Sequence, residues 1–323
     1  MKIELTNIDD KQWDDFLLQS DFSGFMQSSS WAKVKEDEGW RAIRLAVKKE
    51  DQIIAASLLL ITDINKKSNM GYSPQGPILD WSDKGKAIEA IKIIQQAIAS
   101  LAKSENIKFW RIEPWALHLY TKWLPDLNFH RSHIDMQPRH TALIPIEKNI
   151  EDILDTFKPK ARYNTRLALK NNLNVSIGST IFDFKTFFDT YKKTVDRKMI
   201  DSKKWEYFES IQRHLAENKN AFVVNVSKDD LAIGSILLIC FGNRITYFFG
   251  GFDYAHRELM APYLCHYEAI KIGKEMGCLF YDLWGIANTD DELHPWQSFT
   301  RFKEGFRPIK ISLCGAYDCY FQS

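Results

Sequence analysis

The sequence predicts an α/β protein with mixed sheets, folded as two similar domains in tandem. Three observations support this prediction. The chain has 323 residues. This length is too great for a single small hydrophobic core, so two domains are expected. A long-period repeat divides the chain into two comparable halves. Each half shows the order strand, strand, helix, strand, which favours helices packed on a mixed sheet.

The repeat consists of matching segments that occur in the same order in both halves. The pairs are Ala55–Ile61 with Ile233–Ile239, Tyr72 and Gly76 with Tyr247 and Gly251, Glu89–Ile93 with Glu268–Ile272, and Phe109–Pro114 with Phe280–Gly285. The third pair is identical letter for letter. One short match could arise by chance, whereas a whole series in one order indicates a duplication. The period is far too long for a solenoid.

Each copy contains an amphipathic helix between its strands. In the first copy, apolar residues recur at helical spacing at Ile88, Ile91, Ile94, Ile98 and Leu101. In the second copy, Tyr267, Ile270 and Ile272 mark the helix, and Gly277 stands where a C-cap is expected.

A helical connector separates the two copies. Asn149 is a predicted N-cap with Asp152 three residues later. Pro159 is expected to open the next helix, because proline suits the first turn. We therefore place the domain boundary at Pro145. The predicted domains are residues 1–145, completed by residues 309–323, and residues 146–308.

Composition and charge exclude some classes of protein. The 43 basic residues are matched by 42 acidic ones, for a net charge of +1. This balance argues against a strongly basic nucleic-acid coat protein and predicts no DNA partner, although it is compatible with a local basic groove.

No basic segment followed by an apolar core opens the chain, so no signal peptide is predicted. The apolar stretch Ile53–Ile61 has about half the length of a bilayer span. We expect a cytoplasmic protein with at most peripheral membrane contact.

The cysteines and histidines predict neither a disulfide framework nor a metal site. The cysteines are odd in number and form no Cys-x-x-Cys pair; they are Cys240, Cys265, Cys278, Cys314 and Cys319. This usage fits a reduced compartment and small buried side chains. The eight histidines have no metal-ligand spacing. We expect no metal and no cofactor.

A basic stripe follows the connector. Lys158, Arg162, Arg166 and Lys170 recur every four residues, so one helix would carry all four on one face. Such a face fits an anionic partner such as RNA backbone or a diphosphate. An equally simple interpretation is a solvated face balanced by nearby acids. No aromatic residue lies on this face, so base stacking there is not predicted.

Several segments combine aromatic residues with lysine, glycine or proline, as the walls of a binding site often do. They are Gln27–Lys35, Gly71–Pro77, Tyr281–Ile286 with the polar loop 287–294, and Phe302–Phe306. Glycine-rich turns allow backbone N–H groups to approach a ligand. The alternative for the aromatic residues is core packing, and for each lysine an ordinary surface charge.

Taken in order, these segments resemble the Fem family of peptidoglycan-bridge aminoacyltransferases over nearly the whole chain. The resemblance rests on Trp31–Lys35, Tyr72–Pro77, Lys160–Arg166, Ala261–Tyr263, Tyr281–Ile286 and Phe302-Lys303. It implies two tandem acetyltransferase (GNAT)-like domains, without room for the coiled-coil insertion of longer members. It implies transfer of an amino acid from aminoacyl-tRNA to the stem-peptide amine of a UDP-MurNAc-peptide or lipid II. The chain resembles the compact type that uses the UDP-linked precursor, and we expect a monomer.

The resemblance also implies roles for individual residues. Lys35 and Lys203 would contact the UDP diphosphate, and Tyr207 would hydrogen-bond the same substrate. Glu113 stands where an acidic residue lines the muropeptide site. The remaining implied site residues are Tyr247 and Phe249 for the substrate, Lys303 near the reacting ester, and Arg162, Arg166 and Lys170 for tRNA. Phe249 replaces a tyrosine of some relatives, which removes a hydroxyl contact.

The expected chemistry is direct attack of the acceptor amine on the activated ester. No Gly-x-Ser-x-Gly elbow or Cys/His signature is visible. Glu113 is the candidate base, and Lys303 would offset the charge on the carbonyl oxygen. One alternative is an acyl-CoA-dependent N-acetyltransferase, but the phosphate loop of that class does not follow Tyr72 or Tyr247. Another is a non-catalytic muropeptide- or carbohydrate-binding protein, which the presence of Lys303 argues against.

Overall fold

The structure, a computed structural model, describes residues 2–5, 8–65, 67–199, 201–287 and 296–321. It divides into two units. The first comprises Met1–Arg139 with Ser312–Ser323, and the second comprises His140–Ile311. None of the described helices is both long enough and apolar enough to cross a membrane. The part of the predicted polar loop from residue 288 to residue 294 lies outside the described residues.

The first unit begins with a strand and two helices and continues as a meander around one long helix. Its elements are β1 (Lys2–Leu5), α1 (Asp10–Leu18), α2 (Ser29–Asp37), β2 (Arg41–Lys49), β3 (Gln52–Asn65), β4 (Ser68–Gln75), α3 (Lys84–Ser104), β5 (Ile107–Pro114), α4 (His118–Thr121) and β6 (Phe129–Arg131). Short 3₁₀ helices lie at Phe25–Gln27 and Leu124–Leu127.

The second unit contains the helical connector and a second set of strands. Its elements are β7 (His140–Pro145), α5 (Ile150–Thr156), α6 (Pro159–Lys170), β8 (Asn174–Gly178), α7 (Ile181–Lys198), α8 (Trp205–Ile211), β9 (Ala221–Lys228), β10 (Leu231–Phe241), β11 (Arg244–Phe252), α9 (Ala261–Glu275), β12 (Phe280–Asp282), α10 (Gln297–Lys303) and β13 (Ile309–Ser312). A π-helical segment covers Gln212–Ala216, and 3₁₀ helices cover Tyr254–Leu259 and Glu304–Phe306. The chain ends in the first unit with β14 (Tyr317–Tyr320).

The two sheets have the same strand order. The first sheet runs β1-β2-β3-β4-β5-β14-β6, and the second runs β8-β9-β10-β11-β12-β7-β13. Equivalent neighbours are parallel in both sheets, namely β4 with β5 and β11 with β12. The identical segments Glu89–Ile93 and Glu268–Ile272 lie in the equivalent helices α3 and α9. The prediction of an α/β fold with mixed sheets in two similar tandem units is confirmed.

The sixth strand of each sheet comes from a distant part of the chain. β14 pairs antiparallel with β5 in the first sheet. β7 pairs antiparallel with β12 in the second, where Ile144 lies opposite Tyr281. The boundary predicted at Pro145 lies at the end of β7, whereas the pairing with β12 puts the whole strand in the second unit. An apolar alternation predicts a strand but does not say which sheet the strand joins.

The core of each unit forms where its long helix covers the sheet. In the first unit Ile91, Ile94 and Ile98 of α3 are fully buried against strand residues such as Trp110. In the second unit Ile270 of α9 is buried in the equivalent position. Complete burial of such side chains contributes about 1.5–3 kcal/mol each. The apolar stripes predicted for the two helices are therefore the faces that pack against the sheets.

A single glycine allows α7 to lie close to the second sheet. A Cβ atom at Gly251 of β11 would lie 2.3 Å from the backbone of Tyr191 in α7, a distance that no side chain tolerates. Tyr191 consequently packs on β11, with its ring 5.8 Å from that of Phe249. This close approach positions the residues that follow α7 beside the strand that carries Tyr247 and Phe249.

Candidate active site

Lys303 is a buried cation at the C-terminal end of α10. Its side chain is only 8% exposed, and its ammonium donates a 2.6 Å hydrogen bond to the carbonyl of Gly285. The preceding Phe302 packs on Tyr263 and Phe306, with ring centres 5.3 Å away in both cases. The aromatic residues around Lys303 therefore remove water from the stem of the lysine while its head contacts a backbone carbonyl.

The surroundings of Lys303 lower the pKa of its ammonium but leave it mostly protonated at neutral pH. Burial lowers the pKa of its ammonium to about 8, and the carboxylate of Asp282 partly opposes that shift. Asp282 is itself buried, which raises its pKa, and it accepts hydrogen bonds from the Thr141 hydroxyl at 2.5 Å and the Trp284 amide at 2.8 Å. At pH 7 about nine in ten Lys303 side chains are thus protonated.

A histidine that the sequence analysis did not single out lies in the same cluster. His266 of α9 is fully buried, its ring lies 4.8 Å from that of Tyr247, and its Nδ1 lies 2.5 Å from the Tyr281 hydroxyl. Burial, and secondarily the charge of Lys303, lowers its pKa to about 3. His266 is therefore neutral. The spacing of the histidines in the sequence does not indicate His266, because it forms no metal-ligand pattern. The signal that could have indicated it is its place in the helix that begins with Ala261–Tyr263.

Three residues that the resemblance assigns to the substrate lie together in the second unit. The ammonium of Lys203 lies 4.4 Å from the centre of the Tyr207 ring, and that ring lies 6.0 Å from Phe249. The Lys203 amide also donates to the Tyr191 hydroxyl at 3.3 Å. A cation above one ring, with a second ring meeting the first edge to face, is suited to an anionic group attached to a planar base.

In the first unit, Glu113 is a buried carboxylate at the end of β5. It is 6% exposed and accepts hydrogen bonds from the Tyr72 hydroxyl, the Met136 amide at 2.5 Å and the Gln137 amide at 3.1 and 3.2 Å. Burial raises its pKa to about 7, against the opposing effect of these bonds. A carboxylate has about four acceptor positions, and three donors of the protein occupy most of them, with the Gln137 amide shared between the two oxygens.

Lys35, the other lysine assigned to the diphosphate, lies in the last turn of α2. Its ammonium lies 2.5 Å from the Glu38 carboxylate and 4.3 Å from the centre of the Trp40 ring. The neighbouring Trp31 is buried against Phe25 and belongs to the core of the first unit. The aromatic wall beside Lys35 is therefore Trp40.

Arg162, Arg166 and Lys170 of the predicted basic stripe lie in α6, and Lys158 is its N-cap residue. Nearby acidic groups contact part of the stripe. Arg162 donates to the Asp155 carbonyl at 3.0 Å, and Arg166 contacts the Asp155 carboxylate at 3.3 Å. Lys158 lies 3.8 Å from Glu304. Lys170 is the last residue of α6. The role of the basic stripe in tRNA binding stays a prediction.

The described residues contain no group of three or more His, Cys, Asp or Glu side chains placed to hold a metal ion. All five cysteines are buried and unbridged. The Sγ atoms of Cys240 and Cys278 lie 3.4 Å apart, as in a packing contact between two thiols.

The chain is similar to proteins of a known family. The model of the FemAB family matches residues 8–122, 128–226 and 216–323. A relative, the UDP-N-acetylmuramoylpentapeptide-lysine N(6)-alanyltransferase of Weissella viridescens, is 24% identical over 89% of each chain. The lipid II:glycine glycyltransferase of Staphylococcus aureus (strain MRSA252) is 28% identical over 70% of this chain, which spans 56% of that protein.

Solved structures show the same fold. The crystal structure of FemX superposes with a TM-score of 0.90 at 22% identity, covering 98% of this chain and 97% of that one. A tandem GNAT protein from the clavulanic acid biosynthesis pathway superposes with a TM-score of 0.57 at 10% identity, covering 100% and 99%. At these identities the likeness concerns the fold.

Proposed function

Because this chain belongs to the FemAB family, we propose that it is a tRNA-dependent aminoacyltransferase. It adds an amino acid to the stem-peptide amine of a peptidoglycan precursor. The observation that carries the proposal is the buried ammonium of Lys303, held between Gly285, Asp282 and the Tyr247 ring. A preorganised cation in a site that excludes water is most valuable where negative charge develops during acyl transfer.

The proposed acceptor is the UDP-linked muropeptide, with lipid II as the second candidate. The relative from Weissella viridescens is named for a UDP-linked pentapeptide and matches over 89% of both chains. The cation and aromatic rings formed by Lys203, Tyr207 and Phe249 suit a nucleoside diphosphate. We place the reaction in the cytoplasm, where aminoacyl-tRNA is available.

The proposed reaction is a direct acyl transfer. The lone pair of the acceptor amine attacks the ester carbonyl of aminoacyl-tRNA, a C–N bond forms, and the negative charge of the tetrahedral intermediate collects on the carbonyl oxygen. Lys303 stabilises that oxygen. When the intermediate collapses, the C–O bond to the ribose breaks, and the leaving oxygen takes up a proton. The amine loses a proton in the same sequence, so no net acid or base is consumed.

Glu113 is the proposed acceptor of the amine proton, acting through Tyr72. Donors of the protein occupy most acceptor positions of the carboxylate, but one of these donors is the Tyr72 hydroxyl. A proton reaching the Tyr72 oxygen is passed on by transfer of the hydroxyl hydrogen to Glu113. A carboxyl with a pKa of about 7 is matched to this task at neutral pH.

Mass spectrometry of a reconstituted reaction tests the proposal. Purified protein is incubated with charged tRNA and either UDP-MurNAc-pentapeptide or lipid II, and uncharged tRNA and acetyl-CoA serve as controls. The expected result is a muropeptide heavier by one amino-acid residue, formed only with charged tRNA. An acetylated product, or no product with a complete set of aminoacyl-tRNAs and both acceptors, would overturn it.

A further inference from the structure

An exposed stack of one aromatic ring and two cations lies at the end of α7. The Tyr254 ring, in the 3₁₀ helix Tyr254–Leu259, is flanked by the Arg197 and Arg257 guanidinium groups, whose carbons lie 4.7 and 4.6 Å from its centre. The tyrosine is 54% exposed. This stack therefore presents a planar ring and two positive charges to solvent.

A second cation–aromatic pair follows directly along the chain. The Lys198 ammonium lies 3.4 Å from the centre of the Phe299 ring, and Phe299 is 38% exposed. Arg197 and Lys198 are the last two residues of α7. The end of this helix thus directs one cation to Tyr254 and the next to Phe299.

The local charges leave the two arginines available. Asp253 contacts Lys193 at 3.0 Å and lies 3.7 Å from His256. Asp196 and Glu258 are exposed acids next to the arginines in the chain. Within the described part of the chain, neither Arg197 nor Arg257 forms an ion pair. Two like charges close to one ring are best compensated by an added anion.

Resting on the proposed function, we infer that Tyr254, Arg197, Arg257, Lys198 and Phe299 bind the unpaired 3′ end of the donor tRNA. Bases stack on exposed aromatic rings at about 1–3 kcal/mol each, and cations follow the backbone of a single strand. The stripe on α6 differs, because Arg166 pairs with the Asp155 carboxylate and Arg162 bonds to the Asp155 backbone carbonyl. The stack at the end of α7 offers guanidinium planes beside an exposed ring, together with charges, all of which RNA recognises.

The position of Phe299 connects this surface to the chemistry. Phe299 precedes Lys303 by four residues of α10, or roughly 6 Å along the helix axis. A terminal nucleotide held against Phe299 carries its ester on the adjacent ribose. The inferred binding mode directs its aminoacyl carbonyl toward Lys303, as transfer requires.

The uridine of the acceptor is also a nucleotide, so the test separates the two ligands. Fluorescence anisotropy measures binding of a labelled RNA acceptor-stem hairpin with an unpaired 3′ tail, and of the same hairpin with a blunt end. Calorimetry measures binding of UDP-MurNAc-pentapeptide. The variants are Tyr254→Ala and Tyr254→Phe, and the matched control is Tyr163→Ala, which removes a 66% exposed tyrosine of α6.

The expected result is about tenfold weaker binding of the tailed hairpin by Tyr254→Ala, a loss within the range for one stacked base. Tyr254→Phe and Tyr163→Ala should bind like wild type, and the blunt hairpin should lose little. Should Tyr254→Ala fail to fold, Arg197→Met with Arg257→Met takes its place, and the slope of log K against log salt should fall by about two.

Two outcomes overturn the inference while leaving the proposed function intact. One is equal binding of the tailed hairpin by wild type and by the Tyr254 and arginine variants. The other is weaker binding of the UDP-muropeptide alone, which would assign the stack to the acceptor. Absence of RNA binding by wild type itself would overturn the proposed function, and the inference with it.

Discussion

Lys303 holds its ammonium nitrogen 5.6 Å from the centre of the Tyr247 ring. The ring face favours the cation, whereas burial lowers the lysine pKa to about 8. The balance keeps a mostly protonated amine in a place that water does not fill.

Replacing Lys303 by Met should lower kcat by roughly 10²–10³, the cost of losing one oxyanion-stabilising group. The affinity for muropeptide should change little, because the charge it stabilises develops during the reaction. Lys303→Arg should rescue poorly, since its planar head does not occupy the same point. Single-turnover transfer at saturating muropeptide measures the effect. Lys274→Met, which removes a lysine bonded to backbone carbonyls, is the matched control. A Lys303→Met rate within about twofold of wild type would remove this residue from the chemistry.

The transfer rate should depend on pH through the titration of two buried groups, the Lys303 ammonium and the Glu113 carboxyl. The ratio of the wild-type rate to the Lys303→Met rate cancels titration of the acceptor amine. That ratio should fall as pH rises through about 8, because the ammonium is lost. The ratio of wild type to Glu113→Gln should rise through about 7, as the carboxylate forms. Rates measured from pH 6 to 9 test this; ratios that stay flat would contradict both assignments. His266, with a pKa of about 3, contributes no change in this range.

Glu113 should also make the stability of the protein depend on pH. Its pKa is raised in the folded state from 4.5 to about 7. The stability it contributes is therefore present below pH 4.5 and is lost as pH rises through 7. The total loss is about 3 kcal/mol. Relative to Glu113→Gln, wild type should lose stability between pH 5 and pH 8 in urea unfolding. Glu89→Gln, at an exposed position of α3, should show no such trend. A pH-independent difference for Glu113→Gln would exclude the buried carboxylate as its cause.

Replacing Lys203 by Met should raise KM for the muropeptide by about tenfold, as expected for a lost charged hydrogen bond. The KM for aminoacyl-tRNA should be unchanged, because the resemblance assigns Lys203 to the diphosphate of the acceptor. Initial-rate kinetics with each substrate varied in turn provides the measurement. Lys204→Met changes the adjacent exposed lysine and serves as control. If tRNA affinity falls instead, Lys203 belongs to the donor site.

Much of the local structure was predictable because it depends on neighbours in the chain. Asn149 caps α5 by accepting from the Asp152 amide at 2.9 Å, as predicted. Pro159 opens α6, also as predicted. The segment repeated in α3 and α9 predicted two equivalent helices. This was possible because the spacing of apolar residues indicates which face of a helix is buried.

What the sequence by itself determined is the α/β class, the duplication, the helices with their caps, and the family to which the chain belongs. Tertiary structure alone decided that the whole of β7 pairs with β12 in the second sheet. It also decided that Tyr72 meets Glu113, and that His266 lies in the Lys303 cluster. The physical reason is range. Capping and periodicity act over a few residues, whereas strand pairing, burial and the pKa values of buried groups depend on every element packed around them.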